Sequence, residues 1–131
     1  MPTLAAYEVI YAGSVTLGPF LPDAEGQKDL EVAFDLPDDV DIESPAILAL
    51  RVNPYGTQPV ALEVQINNAV IFNQTFDTAP QRSWHEIFSA RLLKSGDQNQ
   101  LVMYCPAVGE NDPGGKITVS NVVVFFQTTI P

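Results

Sequence analysis

The sequence predicts an all-β protein, an antiparallel sandwich or barrel of about eight strands making a single domain over residues 1–131. Three observations carry this expectation. Apolar residues recur with period two in several segments, the spacing of a half-buried strand. No stretch sustains a 3.6-residue period over three turns, and eleven prolines in 131 residues oppose long helices. Clusters such as Gly18-Pro19, Leu36-Pro37-Asp38-Asp39, Asn53-Pro54-Tyr55-Gly56 and Asn111-Asp112-Pro113-Gly114-Gly115 punctuate the chain between these segments. With 46% hydrophobic residues, the chain is long enough for a real core without disulfide staples.

Taken in order, the first expected strand is Tyr7–Ala12. The second is clearer: Leu30, Val32, Phe34 and Leu36 alternate with Asp29, Glu31, Ala33 and Asp35. Ala46–Asn53 follows. Val60, Leu62, Val64 and Ile66 then alternate with Ala61, Glu63, Gln65 and Asn67. Asn67-Asn68 is a plausible tight turn, because Asn tolerates positive φ, and the next strand runs Val70 to Phe76. These two make the clearest hairpin. Ser83–Ser89, Gln100–Cys105 and Lys116–Gln127 complete the set, with a short helical turn near Ala90–Lys94. Val122–Phe126 stands apart because it is apolar on both faces. A strand buried on both sides is the usual reason. In a two-layer sandwich one face should meet water, so the excess points to cover by another subunit and to a homo-oligomer formed through this strand.

Charge narrows the partners. Sixteen Asp and Glu against six Lys and Arg leave −10, which argues against nucleic acid and anionic membrane. The imbalance is local. Residues 1–50 hold ten acids (Glu8, Asp23, Glu25, Asp29, Glu31, Asp35, Asp38, Asp39, Asp41, Glu43) and one base, Lys28, a balance of −9. Residues 51–131 hold six acids and five bases, a balance of −1. The first half therefore presents a one-sided acidic surface, suited to solvent, a cation or a basic partner. A single cysteine, Cys105, excludes an internal disulfide framework and a cysteine-rich zinc site; beside Met103 it reads as a small core residue. The start of the chain lacks a basic region followed by a long apolar run, and Val122–Phe126 is far short of the roughly 20 residues of a membrane span. The expectation is a cytoplasmic protein, or one released without a classical signal peptide.

Several segments resemble galactose-binding-domain-like jelly rolls. Leu62–Ile71 looks like their strand, Asn-containing turn and strand, and Trp84-His85-Glu86-Ile87 like the strand after it. Leu92-Leu93-Lys94-Ser95-Gly96-Asp97-Gln98-Asn99-Gln100-Leu101-Val102 resembles their connection of leucine, lysine, small residue, glycine, acid, asparagine and leucine. Ile117–Phe125 is similar to their closing strand. The resemblance spans about residues 30–126 in the right order and implies a jelly-roll β-sandwich. It also implies a non-catalytic binding module, often for carbohydrate. The connection has a physical reading of its own: Gly96 supplies a positive φ, and Asn99 hydrogen-bonds neighbouring backbone to end the loop.

The chemistry-bearing residues are few. His85 is the only histidine; it faces away from Trp84 and Glu86, and no Gly-x-Ser-x-Gly elbow marks a nucleophile. The expectation is therefore a binding protein and not an enzyme. Sugars stack on aromatic faces and bond planar amides and carboxylates. Tyr55, with Asn53 and Gln58 nearby, is the leading loop candidate, followed by Trp84 with Arg82; Trp84 alternates with Phe88 and has a core reading as well. Asp39, Asp41 and Glu43 would lie on one side of an extended segment and supply oxygens to calcium, although an EF-hand glycine and closing glutamate are missing. Jelly rolls of the resembled family often hold a structural calcium; otherwise no cofactor is expected. The first functional expectation is thus a lectin-like carbohydrate-binding module. The alternative is a structural protein that self-associates through its sandwich and takes no small-molecule ligand.

Overall fold

Alternation and turn chemistry produce eight strands in the structure, a computed structural model that describes residues 2–18, 29–55, 59–77, 81–106 and 115–130. They are β1 Thr3–Leu17, β2 Asp29–Asp35, β3 Pro45–Tyr55, β4 Val60–Ile66, β5 Ala69–Phe76, β6 Arg82–Ser89, β7 Gln98–Tyr104 and β8 Lys116–Thr129. A 3-10 turn, Ala90–Leu92, sits in the stretch expected to coil; Arg91 N donates to the Oγ of Ser89, which caps it. Every expected strand is present. The first is longer than its sequence signal, because β1 pairs along nearly its whole length with β8.

The strands form two antiparallel four-stranded sheets, ordered β1-β8-β3-β6 and β2-β7-β4-β5. Each sheet interleaves early and late strands, the wiring of a jelly roll. Only β4 and β5 are joined as a simple hairpin within one sheet. Their turn residues have φ of 52° at Asn67 and 69° at Asn68, so the connection turns with the right-handed twist of its strands.

Between the sheets lies one core. Leu48, Leu50 and Val52 of β3 and Ile117, Val119, Val122 and Val124 of β8 meet Leu62, Val64 and Ile66 of β4 and Leu101 and Met103 of β7. Cys105 is buried there, and desolvation pushes its thiol up to about 12, so it stays protonated and packs as a small apolar group.

The doubly apolar run of β8 has a local cause and a residue. Asn121 adopts φ 54°, and the pairing register shifts beside it on both neighbours, between Tyr11 and Ser14 on β1 and between Ala49 and Arg51 on β3. This bulge reverses the alternation. Ile117 and Val119 point inward before it; Val122, Val124 and Phe126 point inward after it. Val123 and Phe125 are left on the outside, with Phe125 44% exposed.

One buried polar cluster stitches the second sheet to its loops. Asn99, 1% exposed, is the one buried polar residue among the described residues. Its Oδ1 accepts from Lys94 N (2.7 Å) and Asn67 Nδ2 (2.8 Å), and its Nδ2 donates to Lys94 O (3.0 Å) and Asp97 O (3.1 Å). Asn67 Nδ2 also donates to Leu92 O, and Asn67 Oδ1 accepts from Gln100 N at 3.0 Å. The loop then docks on the turn after β2, with Gly96 N donating to Pro37 O at 2.7 Å. Gly96 has φ 67°, and a Cβ there would stand 2.9 Å from Asp38 Cβ. Replacing Gly96 with Ala should therefore cost about 1–3 kcal/mol. Asn99→Ala strands at least one buried donor or acceptor and should cost about 2 kcal/mol or more. Urea unfolding midpoints at unchanged slope would measure both; a Gly96→Ala protein as stable as the parent would contradict the close approach.

Candidate functional site

The outward positions of the second sheet are mostly polar. Asp29, Glu31, Ala33 and Asp35 point out from β2, and Glu63 and Gln65 from β4, because their neighbours Phe34, Leu62, Val64 and Ile66 point into the core. Register aligns these positions across strands. Glu63 pairs with Asn73 of β5 on one side and Tyr104 of β7 on the other, and Tyr104 in turn pairs with Asp29. The next row holds Val70, Gln65, Val102 and Glu31.

Within the first row Glu63 is the hub. One carboxylate oxygen, Oε2, accepts from the Tyr104 hydroxyl and from Gln65 Nε2 at 2.8 Å; the other, Oε1, accepts from Asn73 Nδ2 at 3.1 Å. The Tyr104 hydroxyl, with smaller help from the Gln65 and Asn73 amides, lowers the pKa of Glu63. The same bond raises that of Tyr104 above the usual tyrosine range. Glu63 is thus held ionised as an acceptor, a poor state for a general acid. The Tyr104 ring is fixed in an array of amides and a carboxylate on an open sheet face. Such an array offers one flat aromatic surface and several planar donors and acceptors.

At the other end of this face is a cavity of about 310 Å³, lined by Asn67, Asn68, Lys94, Gln98, Asn99 and Gln100 with Ala33. Asn67 and Asn99 form its saturated floor. Asn68, Gln98, Gln100 and Lys94 are the lining groups at its surface.

The sequence candidates are distributed differently. Asn53, flanked by the buried Val52 and Pro54, faces outward from the first sheet. Trp84 and Arg82 face the opposite way, toward the core. The Trp84 ring lies 5.2 Å from Phe76 edge-on and 6.0 Å from Phe72, and the Arg82 guanidinium sits 5.2 Å over Phe76. Asn53 and Trp84 therefore do not share a groove. Gln58 and the Tyr55 side chain lie outside the described residues, as do Asp23 and Glu25. His85 is exposed on the outward side of β6, as its alternation with Trp84 and Glu86 requires.

Asp39, Asp41 and Glu43 do not form the extended row that their spacing suggests. Turns at 38–39 and 42–43 flank a single bridge at Val40, whose apolar side chain is drawn into the core. Asp41 folds back on its own turn, accepting from Ser44 Oγ (2.6 Å) and Glu43 N (3.0 Å), which lower its pKa. Glu43 pairs with Arg91. The Asp41 and Glu43 carboxylates are committed to local partners, and among the described residues no group of three or more His, Cys, Asp or Glu side chains is placed to hold a metal ion. The structure does not gather these three side chains into one ligand set.

Tyr104, Asn73, Gln98, Gln100 and Lys94 are the site residues that sequence reasoning missed, and Glu63 and Gln65 counted only as the wet side of a strand. The one available signal was the polar face of β4. What pairs with it is set by contacts between positions about 40 residues apart.

The chain matches no protein-family model and no curated protein. Its fold does match solved structures. Dimeric latent PorU from Porphyromonas gingivalis superposes with a TM-score of 0.62 at 10% identity, over 96% of this chain and 13% of that one. The ANX2 ectodomain from Arabidopsis thaliana gives 0.51 at 12% identity, over 78% of this chain and 29% of that one. The C-terminal domain of EclA, a sugar-binding protein, gives 0.52 at 8% identity, over 95% of this chain and 79% of that domain. This chain thus spans a small part of the first two structures and most of the third. At such identities the likeness is one of fold, and the resemblance of residues 30–126 to galactose-binding-domain-like jelly rolls holds at that level.

Proposed function

We propose that the chain is a non-catalytic carbohydrate-binding module whose sugar lies on the outward face of the second sheet, over Tyr104. The observation that carries this reading is the Tyr104–Glu63–Gln65–Asn73 array. Its fixed phenol ring offers a stacking surface, and its amides and ionised carboxylate match the alternating donors and acceptors of sugar hydroxyls. The same fold in a domain described as sugar-binding supports it. The acids at Asp29, Glu31, Asp35 and Glu63 on this face favour neutral over anionic glycans, since a second negative charge would be repelled.

A glycan array followed by calorimetry on the best neutral oligosaccharide tests the reading. Tyr104→Ala should weaken binding about tenfold or more, the effect of roughly 1.4 kcal/mol of lost stacking and hydrogen bonding. Tyr55→Ala and Asn53→Ala probe the loop set named from sequence and should leave affinity unchanged. Loss of binding in the loop variants with Tyr104→Ala unaffected would move the site to that loop; no binding to any glycan would remove the function.

The hub also sets a pH dependence. A carboxylate whose pKa is depressed keeps its charge through the ordinary glutamate range and loses it only at lower pH. Affinity should therefore stay level as pH falls through the usual glutamate pKa, then decline below it. The raised Tyr104 should ionise at higher pH than an ordinary tyrosine, and Glu63→Gln should bring it back down. Absorbance titration of the phenolate in both proteins reads this directly.

A further inference from the structure

The outward face of the first sheet is built in the opposite way to that of the second. Ile87 of β6 pairs with Ile47 of β3, Ile47 with Phe125 of β8, and Phe125 with Tyr7 of β1, so four large apolar side chains stand in one row across all four strands. Ile87 is 69% exposed, Tyr7 64%, Phe125 44% and Ile47 37%. The Tyr7 and Phe125 rings lie 6.1 Å apart, tilted against each other. One pleat further on, Val9 pairs with Val123 and widens the row into a patch. Neighbouring strands lie about 4.8 Å apart, so the row extends roughly 14 Å. A contiguous apolar surface of this kind on a sheet face marks an interaction site.

We propose that this face is a homodimer interface, with two copies of the chain packed first sheet against first sheet. The placement of the acids is compatible with a second copy as that partner. The chain carries −10, and two copies repel wherever acids meet. Yet the outward strand positions of this sheet carry Arg51, His85 and Lys116 and no Asp or Glu, whereas the other sheet presents Asp29, Glu31, Asp35 and Glu63. Packing the two acid-free faces together is the arrangement that buries the apolar row against its own kind. It also leaves both acidic faces pointing outward and far apart. A head-to-tail stack would set the apolar row on Gln65, Glu63 and Glu31, taking charged and polar groups out of water against side chains that cannot hydrogen-bond them. Two-fold pairing closes as a dimer because each copy uses the same patch. The dimer is independent of the sugar reading; if both hold, it displays two binding faces in opposite directions.

Sedimentation equilibrium and light scattering on the full chain decide the matter. At about 100 µM the chain should have twice its 14.3 kDa mass. Ile87→Lys, on an edge strand and mostly exposed, should raise the dimer dissociation constant at least about tenfold while far-UV circular dichroism stays unchanged. Tyr7→Lys provides the same test on the opposite edge strand. Val70→Lys, an exposed apolar residue on the second sheet, should leave the dimer intact. A chain that stays monomeric overturns the proposal. So does an assembly that grows without limit, or a dimer that Ile87→Lys and Tyr7→Lys leave untouched or that Val70→Lys disperses.

Discussion

The hydrogen-bonded pair Asn67–Asn99 is the constraint on which the second sheet depends. Asn67 terminates β4 with φ 52° and reaches with its side chain to Leu92 O, Asn99 Oδ1 and Gln100 N. Asn99 meets it at the start of β7 and holds the loop from Lys94 to Asp97 in place. One amide pair thus joins the β4–β5 turn, the 3-10 turn, the loop carrying Gly96 and the first residues of β7. These contacts also set register. With side chains alternating every residue, a slip of one along β7 would send Leu101 and Met103 outward and Tyr104 into the core. The Asn pair, together with the burial of Leu101 and Met103, holds the register in which Tyr104 meets Glu63.

Above this scaffold the two outer faces divide the chain's chemistry. The second sheet carries carboxylates, amides and a phenol, with Asp29, Glu31 and Asp35 among the acids near the start of the chain. The first sheet carries the row from Tyr7 to Ile87 and no outward strand acid. Both faces rest on the same core, whose packing makes each strand present alternate residues to water. The bulge at Asn121 shows how narrowly this is arranged. By shifting β8 by one residue it keeps Val122, Val124 and Phe126 in the core, and it leaves Val123 and Phe125 to complete the outer apolar patch.

Strand existence was legible because burial on one face imposes period two, and β2 and β4 carry it cleanly. The Asn67-Asn68 hairpin and the roles of Gly96 and Asn99 were legible too, since positive φ and local side-chain-to-backbone bonds are properties of short segments. The partners of Glu63 were not. They come from a strand some 40 residues downstream, and no local pattern encodes which β-strand neighbours which in a jelly roll. Trp84 carries both a stacking and a core reading in sequence, and only the path of its strand, which turns it toward Phe72 and Phe76, decides between them. The run Asp38–Glu43 reads as an alternating strand, yet Val40 inserts inward as a single bridge and the acids close turns around it.

By itself the sequence determined an all-β chain of about eight strands, its clearest hairpin, its asymmetric acidity and a core free of disulfides, because each follows from local spacing and composition. Tertiary structure alone decided which outward residues become neighbours. Cross-strand pairing placed Tyr104 beside Glu63, and Tyr7 in line with Ile87, over separations of tens of residues. Side chains meet on a sheet through register between distant strands, and register is settled by the packing of the whole sandwich.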